Sequence, residues 1–454
     1  MNISSKKIML VLTCMLASSA ALATNGYNSH GIGTKNKAMA GAGMAIPDEA
    51  IAIANNPASL TEIGEAFDFG LSVFSPKRKY QASASQVNGN FGAFTLGPDA
   101  QTSGSNIFFI PDIAGTWVID DNSGWGFAFY GRGGMNTDWN GGSATFDPDG
   151  PGPAGPTTFP GVFGGGTPTG INLSQAILDL SYARKVSANT SVGIAAVLAF
   201  QMFEAKGLGS FAGFTRTFNA SGGTQFPGNL TNNGADTSYG GGLKLGFHTN
   251  INESVSIAGS YTTKLYMTEF KDYSDLFAQN GGFDIPAVIR AGVSFNTGAA
   301  KSSFDIEHTF YSSIDSVGNP MSNLFSCPAI AGPTGNIENC LGGSNGGGFG
   351  WDDVTAFKFG TKWQGSNNMT YRAGYSYTIQ PVNEADILFN ILAPGVMEHH
   401  FTFGFTKRRA NDSEFTVALM YAPTSSVTAP NAFDPTQTIE ISMSQWEIAF
   451  SYGW

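Results

Sequence analysis

From residue 66 to the C-terminus the chain repeats one pattern. Short runs in which apolar and polar residues alternate are joined by connections that are by turns short and long. A period of two places every second side chain on the same face of a strand. Such runs fall near 66–80, 106–119, 125–135, 171–185, 191–204, 235–248, 254–267, 286–296, 302–312, 351–363, 369–380, 398–407, 414–423 and 441–453. The six short connections, among them Asp120-Asp121-Asn122-Ser123-Gly124 and Ser187-Ala188-Asn189-Thr190, carry turn residues. The seven long ones are rich in Gly, Pro, Asn and Ser, most obviously 136–170 and 313–350. Fourteen strands with short turns at one end and long loops at the other follow the plan of a bacterial outer-membrane barrel. The expected fold class is therefore all-β: a 14-stranded antiparallel transmembrane β-barrel over residues 66–454, with both ends of the barrel on the short-turn, periplasmic side.

The faces of the runs agree with this plan. Phe401, Phe403 and Phe405 alternate with Thr402 and Gly404, and Tyr371, Tyr375, Tyr377 and Ile379 alternate with Arg372, Gly374, Ser376 and Thr378. Apolar residues outward and small or polar residues inward are what lipid outside and a hydrated or ligand-holding lumen inside require. Charged residues are only 13% of the chain, about half of the roughly 25% of an ordinary soluble domain, and aromatics also reach 13%. The last strand places Trp446, Ile448, Phe450, Tyr452 and the terminal Trp454 on one face. It resembles the C-terminal signal read by the barrel-assembly machinery, which is an expected partner along with outer-membrane lipid. A helical membrane protein is excluded, because spanning helices need about 20 apolar residues each and the one long apolar run is N-terminal. A net charge of −11 argues against a nucleic-acid partner.

That N-terminal run reads as a secretory signal peptide over residues 1–23. Lys6 and Lys7 form the basic region, Ile8 to Leu16 the apolar region, and Ala21-Leu22-Ala23 the cleavage site. The mature chain then begins at Thr24 and keeps two cysteines, Cys327 and Cys340. An even pair in an exported chain reads as one disulfide closing a small loop.

Residues 24–65 lack β alternation. They hold Gly31-Ile32-Gly33, Gly41-Ala42-Gly43, Pro47-Asp48-Glu49 opening a short helical stretch, and Asn55-Asn56-Pro57-Ala58, where Pro57 should end it. The glycine spacing does not fit a phosphate or dinucleotide loop. A compact, partly helical piece ahead of a barrel this wide is expected inside the lumen as a hatch.

The order Ser29-His30-Gly31-Ile32-Gly33, Ala40-Gly41-Ala42-Gly43, an Asp-containing helix, Asn56-Pro57-Ala58 and Phe67-Asp68-Phe69-Gly70, all behind a signal peptide, resembles the FadL family of outer-membrane transporters. The resemblance extends to Ile391-Leu392-Ala393-Pro394-Gly395-Val396 leading into Phe401-Thr402-Phe403-Gly404-Phe405. It implies passive transport of long-chain fatty acids or aromatic hydrocarbons. It also implies a hatch carrying the motif Asn56, Pro57 and Ala58, and a kinked third strand that opens a lateral passage. Asn56 is expected to hold backbone groups near the turn with its side-chain amide.

No catalytic constellation, metal set or cofactor motif stands out, so no enzyme activity and no cofactor are expected. His399 and His400 are neighbours in a strand and face opposite sides. Capture of a fatty chain is worth roughly 0.8 kcal/mol per methylene. A carboxylate end would need a cation, and on this register Arg132, Lys244, Arg290, Lys358, Lys362 and Arg372 point inward. Their alternative role is to balance inward carboxylates such as Asp305, Glu307, Glu398 and Glu447. The apolar loop residues Phe159, Val162, Phe163, Leu388, Phe389, Ile391 and Leu392 form either an extracellular groove or a lid packed over the barrel mouth. A lateral exit needs broken pairing between neighbouring strands. Pro111 on the second strand cannot donate to a ladder, and Gly131, Gly133 and Gly134 around Arg132 on the third permit a bulge. A monomer is expected. The competing function is a general porin or a structural or adhesive outer-membrane barrel, distinguished by charge-lined walls and the lack of a plug.

Overall fold

The structure, a computed structural model, describes residues 25–148 and 155–454. The signal-peptide expectation for residues 1–23, and Thr24, lie outside the described residues. Fourteen antiparallel strands form a closed barrel: β1 (Ala66–Ala82), β2 (Phe108–Asp120), β3 (Ser123–Asn136), β4 (Gly170–Lys185), β5 (Thr190–Lys206), β6 (Asp236–Asn250) and β7 (Val255–Thr262), then β8 (Val288–Asn296), β9 (Ala300–Thr309), β10 (Val354–Gln364), β11 (Met369–Thr378), β12 (His399–Arg408), β13 (Glu414–Asn431) and β14 (Asp434–Gly453). Each strand pairs with its neighbours in sequence, and β14 closes the ring on β1, with Phe69 opposite Tyr452. The chain end is tied into the start of the wall: Phe67 and Trp454 exchange backbone hydrogen bonds of 2.9 and 3.0 Å. No helix of the described residues is long and apolar enough to cross a membrane.

The alternation of the sequence is the alternation of the wall. Phe401 and Phe403 are exposed on the outside while Thr402 and Gly404 are buried, and Trp446, Phe450 and Trp454 are exposed beside buried Glu447 and Ala449. All fourteen alternating runs are strands, but two boundaries differ from the sequence reading. The run 254–267 is interrupted after Thr262, where Leu265 turns inward to pair with Ile285, its N–H donating to the Ile285 carbonyl at 2.9 Å, and it resumes against β6 at Tyr266–Met267. Gly242 makes room for that turn, since a Cβ there would lie 2.8 Å from the Leu265 side chain. The larger difference is at the end of the chain. Residues 424–440, read as a seventh long loop, instead continue β13 and β14 into one long hairpin. Ala429, Ile439, Ile441 and Met443 are buried on its inner face, and Thr424, Ser426, Thr428 and Glu440 are exposed on its outer face. Polar outer residues suit strands that have risen above the lipid, and they are also what made the segment look like a loop.

Residues 25–65 fill the enclosed space. Instead of one helical stretch they make four short turns of helix: Thr34–Lys37, Ala50–Ala54, Pro57–Ser59 and Leu60–Ile63. The stretch after Glu49, Ala50–Ala54, ends before Pro57 as expected, with Asn56 extended ahead of the proline, and Pro57 also opens the next turn, as proline at a first helical position does. Glu49 does not serve the helix that follows it. Its two carboxylate oxygens accept from the backbone N–H groups of Lys35 and Asn36, both at 3.1 Å, at the start of Thr34–Lys37.

Candidate functional site

The inner segment is seated by polar contacts that reach strands all round the barrel. Thr402 on β12 donates to the Ala38 carbonyl at 3.0 Å, Ser260 on β7 to the Asn55 carbonyl at 2.7 Å, and Lys244 on β6 to the Ala54 carbonyl at 2.6 Å. Asp305 on β9 accepts from the backbone N–H groups of Gly43 and Met44, both at 2.9 Å. Lys37 reaches the wall at Ser72 and Glu447, at 2.7 and 2.6 Å. Asp48 sits between Lys362 and Arg372 at 2.7 and 2.8 Å. Burial opposes its charge, but the two cations outweigh burial and hold the carboxyl well below the usual range. His30 is stacked on His400 at 5.8 Å between ring centres, with Glu447 3.6 Å away. Burial pushes the His30 imidazole down to about 4. His399, on the opposite face of the strand, meets the Tyr375 hydroxyl at 2.9 Å instead.

Asn56, Pro57 and Ala58 lie against β5 and β6. The Asn56 side-chain oxygen accepts from the Ala58 N–H at 3.0 Å, and its amide donates to the Phe247 carbonyl at 2.9 Å. The wall is shaped for this approach. A Cβ on Gly246 would lie 2.0 Å from the Asn56 side-chain oxygen, and one on Gly193 would lie 2.5 Å from the Ala58 nitrogen. On the far wall, Gly374 and Gly404 make the same allowance for Met39 and Ala38. Sequence reasoning took these inward glycines only as small residues. Their spacing opposite the motif was the missed signal.

The inward cations are mostly engaged. Lys244 pairs with Asp179, Arg290 and Lys358 share Glu307 at 2.7 and 3.2 Å, and Arg372 holds Asp48. Arg132 alone of the six inward cations read from the sequence has no carboxylate partner in the described structure, Lys362 also holding Asp48. It is buried and donates to the Pro286 carbonyl at 3.2 Å. Among the described residues, no group of three or more His, Cys, Asp or Glu side chains is placed to hold a metal ion.

The wall is incomplete between β2 and β3. Their ladder runs from Asp120–Ser123 up to Asp112–Tyr130 and stops there. Above that rung, Phe108 to Pro111 stay paired to β1, whereas Gly133 to Asn136 stay paired to β4. The register of β3 slips between Gly131 and Gly133, so Arg132 is the extra residue of a bulge. Pro111 and the glycine cluster thus lie on the two sides of the parting. The strands are rejoined only higher up, where Gly104 donates to the Asp138 carbonyl at 2.7 Å. From inside, the start of the hatch covers the bulge: Ser29 donates to the Arg132 carbonyl and Gly134 to the Tyr27 carbonyl, at 3.1 and 3.0 Å. Gly133 permits it, since a Cβ there would lie 2.5 Å from the Tyr27 carbonyl oxygen.

A cavity of ≈ 260 Å³ occupies the upper part of the parting. Its lining includes Phe108 and Ile171, which alternate inward, and Asn136, Asn172, Glu204 and Lys206, which alternate outward. Only a break in a sheet lets one cavity touch both faces. Ile171 also lines a second, apolar void of ≈ 40 Å³ beneath the extracellular loops, among Phe203, Phe211, Phe277, Phe389 and Leu392. Those loops form a lid. Val162, Phe163, Leu388, Phe389, Ile391 and Leu392 are buried against one another and against neighbouring aromatics such as Phe211, so the packed alternative holds over the open groove. Cys327 and Cys340 are joined by a disulfide in the same lid. Their loop is docked on its neighbour through Arg216 and Glu338, 3.1 Å apart.

A closed fourteen-stranded barrel, filled by its N-terminal segment and parted between its second and third strands, has the architecture of a plugged outer-membrane-type barrel. Residues 10–150 match the family model described as Outer membrane protein transport protein (OMPP1/FadL/TodX). The toluene transporter TodX of Pseudomonas putida is similar over 95% of this chain and 99% of its own, at 15% identity and a TM-score of 0.62. A FadL homologue of Pseudomonas aeruginosa matches over 94% and 99% at 14% identity and 0.62, and the toluene transporter TbuX of Ralstonia pickettii over 93% and 98% at 16% and 0.57. No curated protein sequence matches the chain. The FadL resemblance read from the sequence stands: the chain has the FadL/TodX fold and the family's sequence pattern in its N-terminal part.

Proposed function

We propose that this protein carries hydrophobic compounds, long-chain fatty acids foremost, across the outer membrane without an energy source, releasing them sideways between β2 and β3. The observation that carries the reading is the parting above Asp112–Tyr130, with a cavity that touches both faces of the wall. A hydrophobic molecule under the aromatic lid is close to that parting, since Ile171 borders both spaces. The direct route to the periplasm is filled by residues 25–65, the hatch, with Asn56, Pro57 and Ala58 as its seat. A dozen methylenes are worth on the order of 10 kcal/mol on leaving water, so a ligand gains most by passing from lid to bilayer without re-entering it. Neither void has the roughly 300–1,000 Å³ of a small-molecule site, so passage requires the lid and the start of the hatch to move. Arg132, buried at the bulge and without a carboxylate partner among the described residues, is the one cation singled out from the sequence that is placed to meet an acid head group on its way to the parting. Export through a cleaved signal peptide and folding by the barrel-assembly machinery complete the reading. The general-porin alternative is disfavoured by the plug.

The test ties the strands together. Phe109→Cys with Gly134→Cys, oxidised across the middle of the parting, is expected to abolish fatty acid uptake and to restore it on reduction, with barrel assembly unchanged. Full uptake through a verified staple refutes the lateral route, and a large open conductance in planar bilayers would favour the porin.

A further inference from the structure

The wall cavity has a neighbour that none of the sequence arguments singled out. Arg78, on the inner face of β1, is 1% exposed. One of its terminal nitrogens donates to the Ser105 carbonyl at 2.6 Å, and its guanidinium lies over the Phe108 ring, 5.6 Å from the centroid. Ser105 and Phe108 both line the cavity between β2 and β3. The other terminal nitrogen, fully buried, has no hydrogen-bond partner, and no carboxylate forms an ion pair with this arginine among the described residues. A buried charge is ordinarily paired and hydrogen-bonded, because an unpaired one is costly. Most other buried cations of the lumen follow that rule: Lys35, Lys37, Lys244, Lys358 and Arg372 each hold a carboxylate, and Arg132, which instead donates to the Pro286 carbonyl, is the exception among the described residues. A guanidinium offers a fork of donors matched to a carboxylate, and here part of the fork is unused directly behind Ser105 and Phe108, two residues that line the cavity.

We infer that Arg78 and the cavity beside it form a head-group site for the carboxylate of an amphiphile leaving through the wall. The inference rests on the lateral route proposed above and adds a chemical preference to it: acids are held at the exit, neutral hydrocarbons are not. The cavity volume of ≈ 260 Å³ suits a carboxylate and a short length of tail. Two carboxylates border the cavity: Lys206 answers Glu204 at 3.2 Å, and Asp138 accepts from the Asn140 amide at 3.1 Å, so the anion is drawn to the Arg78 side, away from Asp138. Asn136 and Asn172, linked at 2.6 Å, present amides on the membrane side. At the height where the outer wall turns from Phe200 and Met202 to Glu204 and Lys206, a bound acid keeps its head in polar surroundings while its tail enters lipid.

The probe is a matched pair, oleic acid and oleyl alcohol, bound to the full-length protein in detergent. The wild type is expected to bind the acid at least about 10-fold more tightly, the scale of one charged hydrogen bond. Arg78→Met should erase that preference and leave alcohol binding as it was, and Arg78→Lys should keep part of it. Folding is verified by the heat-dependent gel mobility of the barrel. A folded Arg78→Met protein that still prefers the acid overturns the inference, as does an equal loss of acid and alcohol. A lipid phosphate is the other source of an anion. If Arg78→Met abolishes retention of lipid A but leaves the acid preference intact, the site belongs to the lipid and the inference fails. Binding here is measured without transport, so uptake that persists through the Phe109–Gly134 staple would remove the lateral route while leaving this result readable.

Discussion

Replacing Asn56 with alanine is the sharpest test of how the hatch is held. Asn56 is fully buried and joins two bodies: its oxygen caps the turn at Ala58 within the hatch, and its amide reaches the Phe247 carbonyl in the wall. Each bond contributes about 0.5–1.5 kcal/mol net, so the alanine variant should weaken the seat by about 1–3 kcal/mol. At 1.4 kcal/mol per factor of ten, the unseated population rises about 5- to 150-fold. A cysteine at Ala45, buried within the hatch and outside the motif, reports that population through its rate of maleimide labelling. Barrel assembly should be untouched, because no rung of the strand ladders depends on this side chain. Gly246→Ala offers the converse perturbation, since the added Cβ would lie 2.0 Å from the Asn56 oxygen and displace it. The two changes break one contact, so the double variant should label little faster than either single one. Labelling unchanged in Asn56→Ala would mean that the motif caps a local turn and does not latch the hatch.

Two further expectations follow from groups outside the strand ladders. His30 is held neutral with its pKa lowered to about 4, so the seated hatch is favoured above the unfolded value near 6.5 and weakens as pH falls toward 4; the full cost, with the opposing pull of Glu447 included, is roughly 3 kcal/mol, and Ala45→Cys labelling, normalised to a free thiol at each pH, should accelerate over that window but stay flat in His30→Gln. Removing the Cys327–Cys340 bridge with paired serines should cost about 3 kcal/mol of loop entropy in the lid alone, giving faster protease nicking near residues 327–340 with no change in the unfolding of the barrel.

The strand order was legible because lipid and lumen impose opposite demands on alternate residues, and runs such as 401–405 and 446–454 carry that alternation without interruption. The same logic failed over 424–440. Above the lipid the outer face of β13 and β14 is Ser, Thr and Glu, so the contrast that marks a strand weakens and Pro423 and Pro430 look like loop residues. The weak points of the wall, Pro111 and Gly131 to Gly134, could be read locally because they disable pairing through their own chemistry. The charge pairs could not. Asp48 meets Arg372 across 324 residues, and Lys37 meets Glu447 across 410; nothing in either local sequence specifies the partner. Arg78 was missed for a related reason. Its importance lies in the lack of a partner, and a lack of partners is visible only once the neighbours are in place.

The two closures of the lumen are built from different forces, and the difference bears on what opens each. The lid is aromatic: Phe211 touches Phe163 and Phe389, and Phe203 packs on Phe270, Tyr273 and Phe277. Parting it in water exposes apolar surface at about 25 cal/mol per Å², a cost that falls when a hydrophobic molecule takes the place of the rings. The hatch is seated through Lys37, Asp48, Asn56, Lys244 and Asp305, on carbonyls, amides and carboxylates. Water can replace such partners at about 1 kcal/mol each, so the hatch yields to hydration or protonation and gains little from the ligand itself. A hydrophobic molecule is thus a good key for the lid and a poor one for the hatch. Between the two lies the parting of β2 and β3, covered from inside by Tyr27 to Ser29, with Arg132 tied to the Pro286 carbonyl and Thr137 to the Leu392 carbonyl. On the proposed route, a ligand beneath the lid has this short cover to displace on its way to the bilayer, against the many charged and hydrogen-bonded contacts of the hatch on the way to the periplasm, and that difference is what favours the sideways path in our proposal.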